Sequence, residues 1–149
     1  MRPGASYMSH SDSFALVRGG HLDLCVLGAF QVAENGDIAN WARSDDETAP
    51  AIGGAMDLAA GAQHVFVTLE HTDSKGNPKL VERCEFPLTM PNCVDAIITD
   101  LALLRRADRA SRFTLAEIAA GFTVEEVLSL TGMAVDVADQ VGVMQENWI

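Results

Sequence analysis

Basic residues are scarce in this sequence: Lys+Arg 10 stand against Asp+Glu 21 in 149 residues, for a formal net charge of -11. That balance excludes a protein that tracks nucleic-acid phosphates, because such proteins concentrate cations on one face and release counterions on binding. An anionic ligand must therefore be held by a local set of donors. Cysteine is also rare. Cys25, Cys84 and Cys93 are an odd number with no Cys-x-x-Cys spacing, which excludes a disulfide framework and a zinc ribbon and fits a reducing compartment. His10, His21, His64 and His71 show no short ligand spacing, so no metal site is expected. No apolar run approaches the ~18 residues of a membrane span, and Met1 to Ser6 lack a signal-peptide core; the reading is a cytoplasmic chain that spans no membrane.

What is present is enough apolar material for one core. Hydrophobic residues make up 48% of the chain, and a domain of this length removes roughly 68–70% of its unfolded surface from water. Ser9 and Ser11 precede the short apolar run Phe14 to Val17, which closes at Gly19-Gly20, the pattern of a short helix. His21 to Phe30 reads as a strand buried on both faces. Glu34-Asn35-Gly36-Asp37 reads as a turn, and Arg43 to Thr48 as an exposed acidic loop. Gly53-Gly54 leads into a small-residue helix ending near Gly61, with Val65 to Glu70 as the next strand. Asp73 to Pro78 is a hairpin-like connection, Lys79 to Cys84 and Ile97 to Ala102 are further strand candidates, and Thr123-Val124-Glu125-Glu126 is a capping box whose helix stops at Gly132. Strands alternating with short helices give an α/β fold with an open, mainly parallel sheet flanked by helices.

Two stretches suit chemistry. The Gly53-Gly54-Ala55 turn at a helix entrance can aim backbone N–H groups at a developing oxyanion, or can serve only tight helix packing against the sheet. Glu34 on its turn can act as nucleophile or base, or can be an ordinary solvated turn residue. The cysteines read as structural, with no base beside them. Arg105, Arg106, Arg109 and Arg112 form the one basic cluster, suited to a phosphate or acidic partner or simply to a solvated turn.

Taken in order, several segments resemble one family. They are Pro3 to Ser6, Asp12 to Ala15, Arg18 to Asp23, Val26 to Ala29, Gly36 to Trp41, Gly53 to Leu58, Glu70-His71, Pro78 to Val81, Pro87 to Thr89, Cys93-Val94, Ile98 to Ala102, Val124 to Val127 and Thr131-Gly132. The chain is similar over nearly its whole length to the B subunit, or C-terminal half, of the 3-oxoacid and 3-oxoadipate CoA-transferases. The resemblance implies transfer of coenzyme A from succinyl-CoA to a 3-oxo acid, either 3-oxoadipate or acetoacetate, through a glutamyl-CoA thioester. It implies a CoA thioester as substrate, no permanently bound cofactor, and a hetero-oligomer with the A subunit of a CoA-transferase. The family's nucleophile sits in a Glu-Asn-Gly-x-x-Gly motif upstream of the Pro-Gly-Ala-Ser segment. That segment begins here at Pro3, so residues 1–149 are expected to be a single B-type domain lacking its upstream part, with an edge and an apolar face left to be covered. Glu34-Asn35-Gly36 ends on Ala39 where the motif's second glycine falls, so the nucleophile is not carried over to Glu34. Gly54 matches the family glycine beside the thioester. The acidic 43–48 stretch and Met90 after Pro87-Leu88-Thr89 depart from the family pattern, whereas Ala49 to Gly54 and Pro78 to Val81 lean toward the 3-oxoadipate branch. The rival reading is a non-catalytic relative that serves as a binding or assembly module.

Overall fold

The computed structural model describes residues 3–43 and 52–145. Ser9 opens α1 (His10–Arg18), its hydroxyl accepting the Asp12 N–H at 3.1 Å. The helix closes in a Schellman arrangement: Gly20 N–H donates to Val17 O, His21 N–H to Leu16 O, and Gly20 takes φ 72°. In chain order follow β1 (Leu22–Gly28), β2 (Gln31–Ala33), β3 (Ile38–Ala39), α2 (Ala55–Gly61), β4 (Ala62–Thr68), β5 (Leu80–Val81), β6 (Ala96–Ile98), β7 (Ala102–Arg105), β8 (Thr114–Ile118), α3 (Val124–Ser129) and β9 (Asp136–Val143).

Six strands form the main sheet in the order β1-β4-β6-β7-β8-β9, and three form a second sheet in the order β3-β2-β5. In the main sheet β1·β4, β4·β6 and β8·β9 are parallel, while β6·β7 and β7·β8 are antiparallel. This is the expected α/β class. The core joins the sheets: Val65, Val67, Ile97, Leu104 and Leu115 of the large one lie in one buried cluster with Val32, Ile38 and Leu80 of the small one. Burying such aliphatic side chains contributes about 1.5–3 kcal/mol each.

Several expectations change. β1 is not buried on both faces: it lies at a sheet edge with one neighbour, and Leu24 and Val26 are 44% and 57% exposed. Ile97 to Ala102 is not one strand: Ile97 and Ile98 end β6, Ala102 opens β7, and residues 99–101 turn between them, because Thr99 Oγ1 accepts the N–H groups of Leu101 and Ala102 at 3.1 and 2.9 Å and reverses the chain. Only Leu80–Val81 of the 79–84 segment pairs as a strand. α3 has its capping box, but it ends at Ser129 with Leu130 as its C-cap rather than at Gly132. Gly132 is glycine because its N–H reaches Leu80 O at 2.8 Å and a Cβ there would meet that same oxygen at 2.8 Å. Residues 44–48 of the acidic loop and residues 49–51 of the stretch before the glycine turn lie outside the described residues. Among the described residues no helix is long and apolar enough to cross a membrane.

The segments around the core meet at His71, whose side chain is fully buried. Its Nδ1 lies 2.9 Å from Thr99 Oγ1 and its Nε2 2.9 Å from Thr131 Oγ1. The Thr131 hydroxyl donates to Val127 O at 2.8 Å, so it accepts from the ring; Nε2 therefore carries the proton and Nδ1 accepts from Thr99. Burial pushes the His71 pKa down, with Asp100 opposing more weakly. The folded state thus holds a neutral ring whereas the unfolded chain takes a proton near pH 6.5. Stability is fully present above that value and falls as pH drops below it, with a limiting slope of about 1.4 kcal/mol per pH unit for one proton. Urea unfolding at pH 7 and pH 5 should show this loss, and His71→Gln should flatten the dependence while lowering stability at pH 7. Thr123→Ala, which removes the hydroxyl of the α3 cap, should cost about 1 kcal/mol at either pH in the same measurement.

Candidate functional site

The Gly53-Gly54-Ala55 turn is clamped to α1. Gly53 takes φ 62°, a conformation that favours glycine. Gly54 is the N-cap of α2 and offers the first turn no side-chain acceptor. A Cβ on Gly54 would lie 2.5 Å from the Phe14 ring, and one on Gly61 would lie 2.2 Å from Val17 O. The two glycines therefore let α2 pack closely against α1. Arg18 finishes the clamp with a fork to Asp57, Nε to Oδ1 at 2.8 Å and a terminal nitrogen to Oδ2 at 2.9 Å. Hydrogen bonding to Arg18 holds the Asp57 carboxyl below the ordinary carboxylate range. The helix-packing reading of Gly54 is thus physically grounded, with an α-helix rather than the sheet as the partner.

A second group gathers at the carboxyl end of β1, where sites form in parallel sheets. Asn40 donates through Nδ2 to Gly28 O at 3.1 Å. Its Oδ1 accepts from Thr89 Oγ1 at 2.6 Å, and its N–H donates to the same hydroxyl at 3.1 Å. Trp41 Nε1 donates to Leu88 O at 3.2 Å. These contacts join segments that the sequence presents only as separate stretches of similarity, so the Asn40–Thr89 pair is visible there as residue types but not as a contact. Arg43 lies over the Phe30 ring at 4.7 Å, and Phe30 meets Phe86 edge to face at 6.4 Å.

Glu34 lies apart from the glycine turn. Glu34 to Asp37 link β2 to β3, with Asn35 Oδ1 accepting the Asp37 N–H at 3.2 Å and Gly36 at φ 85°. One Glu34 oxygen accepts the Ala134 N–H at 3.2 Å and the other faces Arg112 Nε at 3.5 Å. The residue lines a cleft of about 910 Å³ together with Asn35, Asp37, Arg106, Arg109 and Arg112, and none of Gly53, Gly54 and Ala55 lines it. The solvated-turn reading of the arginines needs correction at Arg106, which is buried. Its guanidinium lies over the Phe113 ring at 5.0 Å and donates to Asn35 O and Arg109 O, each at 3.1 Å, and to Asn92 Oδ1 at 2.9 Å. A Cβ on Gly36 would lie 2.4 Å from Arg106, so the glycine of this turn is set by that side chain. No local sequence signal separates Arg106 from its exposed neighbours.

The thiols behave as packing groups. Burial pushes Cys84 up to about 12, Cys93 up to about 11, and Cys25 upward as well, so all three remain protonated near neutrality. Among the described residues no group of three His, Cys, Asp or Glu could hold a metal ion.

Residues 1–130 match the family model described as Coenzyme A transferase. The chain is 48% identical over 132 residues to the B subunit of the 3-oxoadipate CoA-transferase of Acinetobacter baylyi, covering 89% of this chain and 60% of that protein. It therefore spans about 60% of that relative's length. Among solved structures, an acyl-CoA transferase from Escherichia coli O157:H7 superposes with a TM-score of 0.75 at 18% identity, over 95% of this chain and 31% of that one. The AibA/AibB decarboxylase superposes equally well, with a TM-score of 0.75 at 20% identity over 95% of this chain and 58% of that one. The fold is thus shared by a transferase and a decarboxylase, and sequence similarity makes the finer assignment: this chain belongs to the coenzyme A transferase family, on the side of its B subunits.

Proposed function

We propose that this chain is the B-type part of an enzyme that moves coenzyme A from succinyl-CoA to a 3-oxo acid, with 3-oxoadipate favoured over acetoacetate. The observation that carries this reading is the 48% identity, over most of the chain, to the B subunit of a 3-oxoadipate CoA-transferase. Residues 1–149 act as one domain of a cytoplasmic hetero-oligomer completed by an A-type subunit. A nucleophilic glutamate carboxylate attacks the thioester carbon and expels coenzyme A as the thiolate, leaving a mixed anhydride. The thiolate then attacks the glutamyl carbonyl of that anhydride, forming the glutamyl-CoA thioester and releasing succinate. The 3-oxo acid takes up coenzyme A by the same two steps in reverse. This divides one acyl transfer into easier steps.

In this reading Gly53, Gly54 and Ala55 present backbone N–H groups to the oxyanion that develops on the thioester carbonyl. Two features support the role. The clamp by Phe14 and by the Arg18–Asp57 fork fixes the turn before substrate arrives, as preorganised electrostatic stabilisation requires. Gly54 as N-cap also brings no side-chain acceptor to the first turn of α2, so no capping side chain takes its N–H groups. Glu34 is not the nucleophile on this reading: one of its oxygens accepts the Ala134 N–H, the other faces Arg112 at 3.5 Å, and the cleft it lines includes none of Gly53, Gly54 and Ala55. The attacking carboxylate comes from a Glu-Asn-Gly-x-x-Gly segment, which residues 1–149 do not contain. The second reading is a non-catalytic binding or assembly module.

Reconstitution separates the readings. The chain alone with succinyl-CoA and 3-oxoadipate should give no 3-oxoadipyl-CoA. Addition of a polypeptide carrying the Glu-Asn-Gly-x-x-Gly segment, together with the A-type subunit, should restore turnover. Borohydride trapping during turnover, read by peptide mass spectrometry, should mark the added segment and leave Glu34 unmodified. Assembly without turnover would establish the non-catalytic module, and a modified Glu34 would overturn the assignment of the nucleophile.

A further inference from the structure

In a protein with an excess of eleven negative charges, four of the ten cationic side chains line one cleft: Arg83, Arg106, Arg109 and Arg112. Arg106 is the unusual member. It is only 9% exposed, yet its three hydrogen bonds all end on neutral oxygens, those of Asn35, Arg109 and Asn92. Its Nε–H is buried with no partner among the described residues. Buried charges are ordinarily paired, because desolvation costs several kcal/mol per ion. Asp95 and Asp108 act on Arg106 through space, but neither is among the groups it donates to. Asp95 accepts from Val65 N–H and Arg109 Nε through its two oxygens, and Asp108 accepts through Oδ1 from the backbone of Ala110 and Ser111 and from the Ser111 hydroxyl. The cleft wall therefore carries a positive charge without a contact counter-ion among the described residues.

The neighbouring guanidiniums retain uncommitted donors. Arg109 gives only Nε to Asp95, at 3.4 Å, and stays 43% exposed. Arg112 spans Glu34 at 3.5 Å and Asp136 at 3.6 Å, both loose for hydrogen bonds, and stays 50% exposed. Arg83 is exposed on the same cleft. The volume of about 910 Å³ is in the range of small-molecule sites. Guanidiniums bind planar carboxylates and phosphates through paired N–H donors, which makes such a cluster selective for oxyanions. Glu34, Asp37 and Glu82 on the same lining favour a ligand with one compact anionic end and hydrogen-bond donors elsewhere.

We propose that the cleft between the 34–37 turn and the 106–112 loop binds a small molecule through its carboxylate or phosphate group, gripped by Arg83, Arg109 and Arg112 and supplying the counter-charge that Arg106 lacks. This site stands independently of the proposed transfer reaction. Calorimetric titration of the chain with succinate and, separately, with inorganic pyrophosphate tests it and distinguishes the two anion classes. Saturable binding of one equivalent is expected for at least one of them. Arg109→Gln and Arg83→Gln, both exposed positions whose folding is checked by thermal melting, should each weaken it by on the order of tenfold, the loss of a charge-assisted hydrogen-bonded contact. Arg105→Gln removes the same charge from an exposed residue of β7 outside the cleft and should change binding less than about twofold, as a screened surface charge does. Should neither anion bind saturably, or should Arg105→Gln weaken binding as much as Arg109→Gln, the site does not exist. Should Arg109→Gln fail to fold, Arg83→Gln decides alone.

Discussion

The buried imidazole of His71 ties the segment that follows β4 to two distant parts of the fold. It touches Thr99, which turns the chain from β6 into β7, and Thr131, which follows α3. Its backbone N–H donates to Asp100 Oδ1 at 2.7 Å, and its carbonyl accepts from Lys79 N–H at 3.0 Å just before β5. One residue at the end of β4 thereby fixes the large sheet, the last helix and the small sheet relative to one another. The arrangement works only with a neutral ring. Thr131 has no second hydrogen to offer, and Thr99 Oγ1 already accepts two backbone N–H groups, so a proton on Nδ1 would face an oxygen with little acceptor capacity left. A polar network of this kind specifies a unique packing because each member is satisfied in one geometry.

The small sheet is fixed from its other side by Arg106. Its guanidinium reaches across to Asn35 O, fills the space where Gly36 has no side chain, and braces Asn92. Asn92 in turn donates its N–H to Asp37 Oδ1 at 2.8 Å. β3 leaves this turn and runs directly into Asn40 and Trp41, whose contacts to Gly28, Leu88 and Thr89 lie at the carboxyl end of β1. The 34–37 turn is therefore structural support for the Asn40 region, whatever else the cleft beside it binds. An Asn-Gly turn suits this place because glycine alone leaves room for Arg106 at a positive φ.

Much of the local structure was legible because it rests on short-range chemistry. Ser9, the Gly19-Gly20 pair and the Thr123 to Glu126 box act within a few residues of themselves, and each bounds a helix as the sequence suggests. The failures came where long-range partners decide. The mostly apolar run from His21 to Phe30 cannot tell a central strand from an edge strand, since the difference lies in whether a second neighbour exists. The Ile97 to Ala102 run carried strand-forming residues, but the Thr99 hydroxyl competes for the backbone and bends it. Gly132 looked like a helix stop and is a contact with β5, a distant part of the chain. At the site, the Gly53-Gly54 turn and Glu34 were both found as residue types. That they line different regions, and that Arg106 rather than catalysis sets the form of the Glu34 turn, depends on tertiary placement.

The glycine turn shows why a motif residue and its chemical role must be argued separately. Gly54 has a sufficient structural cause: any Cβ would drive into Phe14 and separate α2 from α1. Retention of the glycine therefore does not by itself testify to an oxyanion. A role in transfer rests on a different property, the rigidity with which the helix entrance is held. Here the contact that demands glycine is the same contact that supplies rigidity, since Phe14 packs on Gly54 while Arg18, one turn further along α1, grips Asp57 one turn further along α2. Packing and catalysis are then not competing accounts of the turn. A backbone N–H stabilises developing charge in proportion to how little it must reorganise, and the helix pair is what limits that reorganisation.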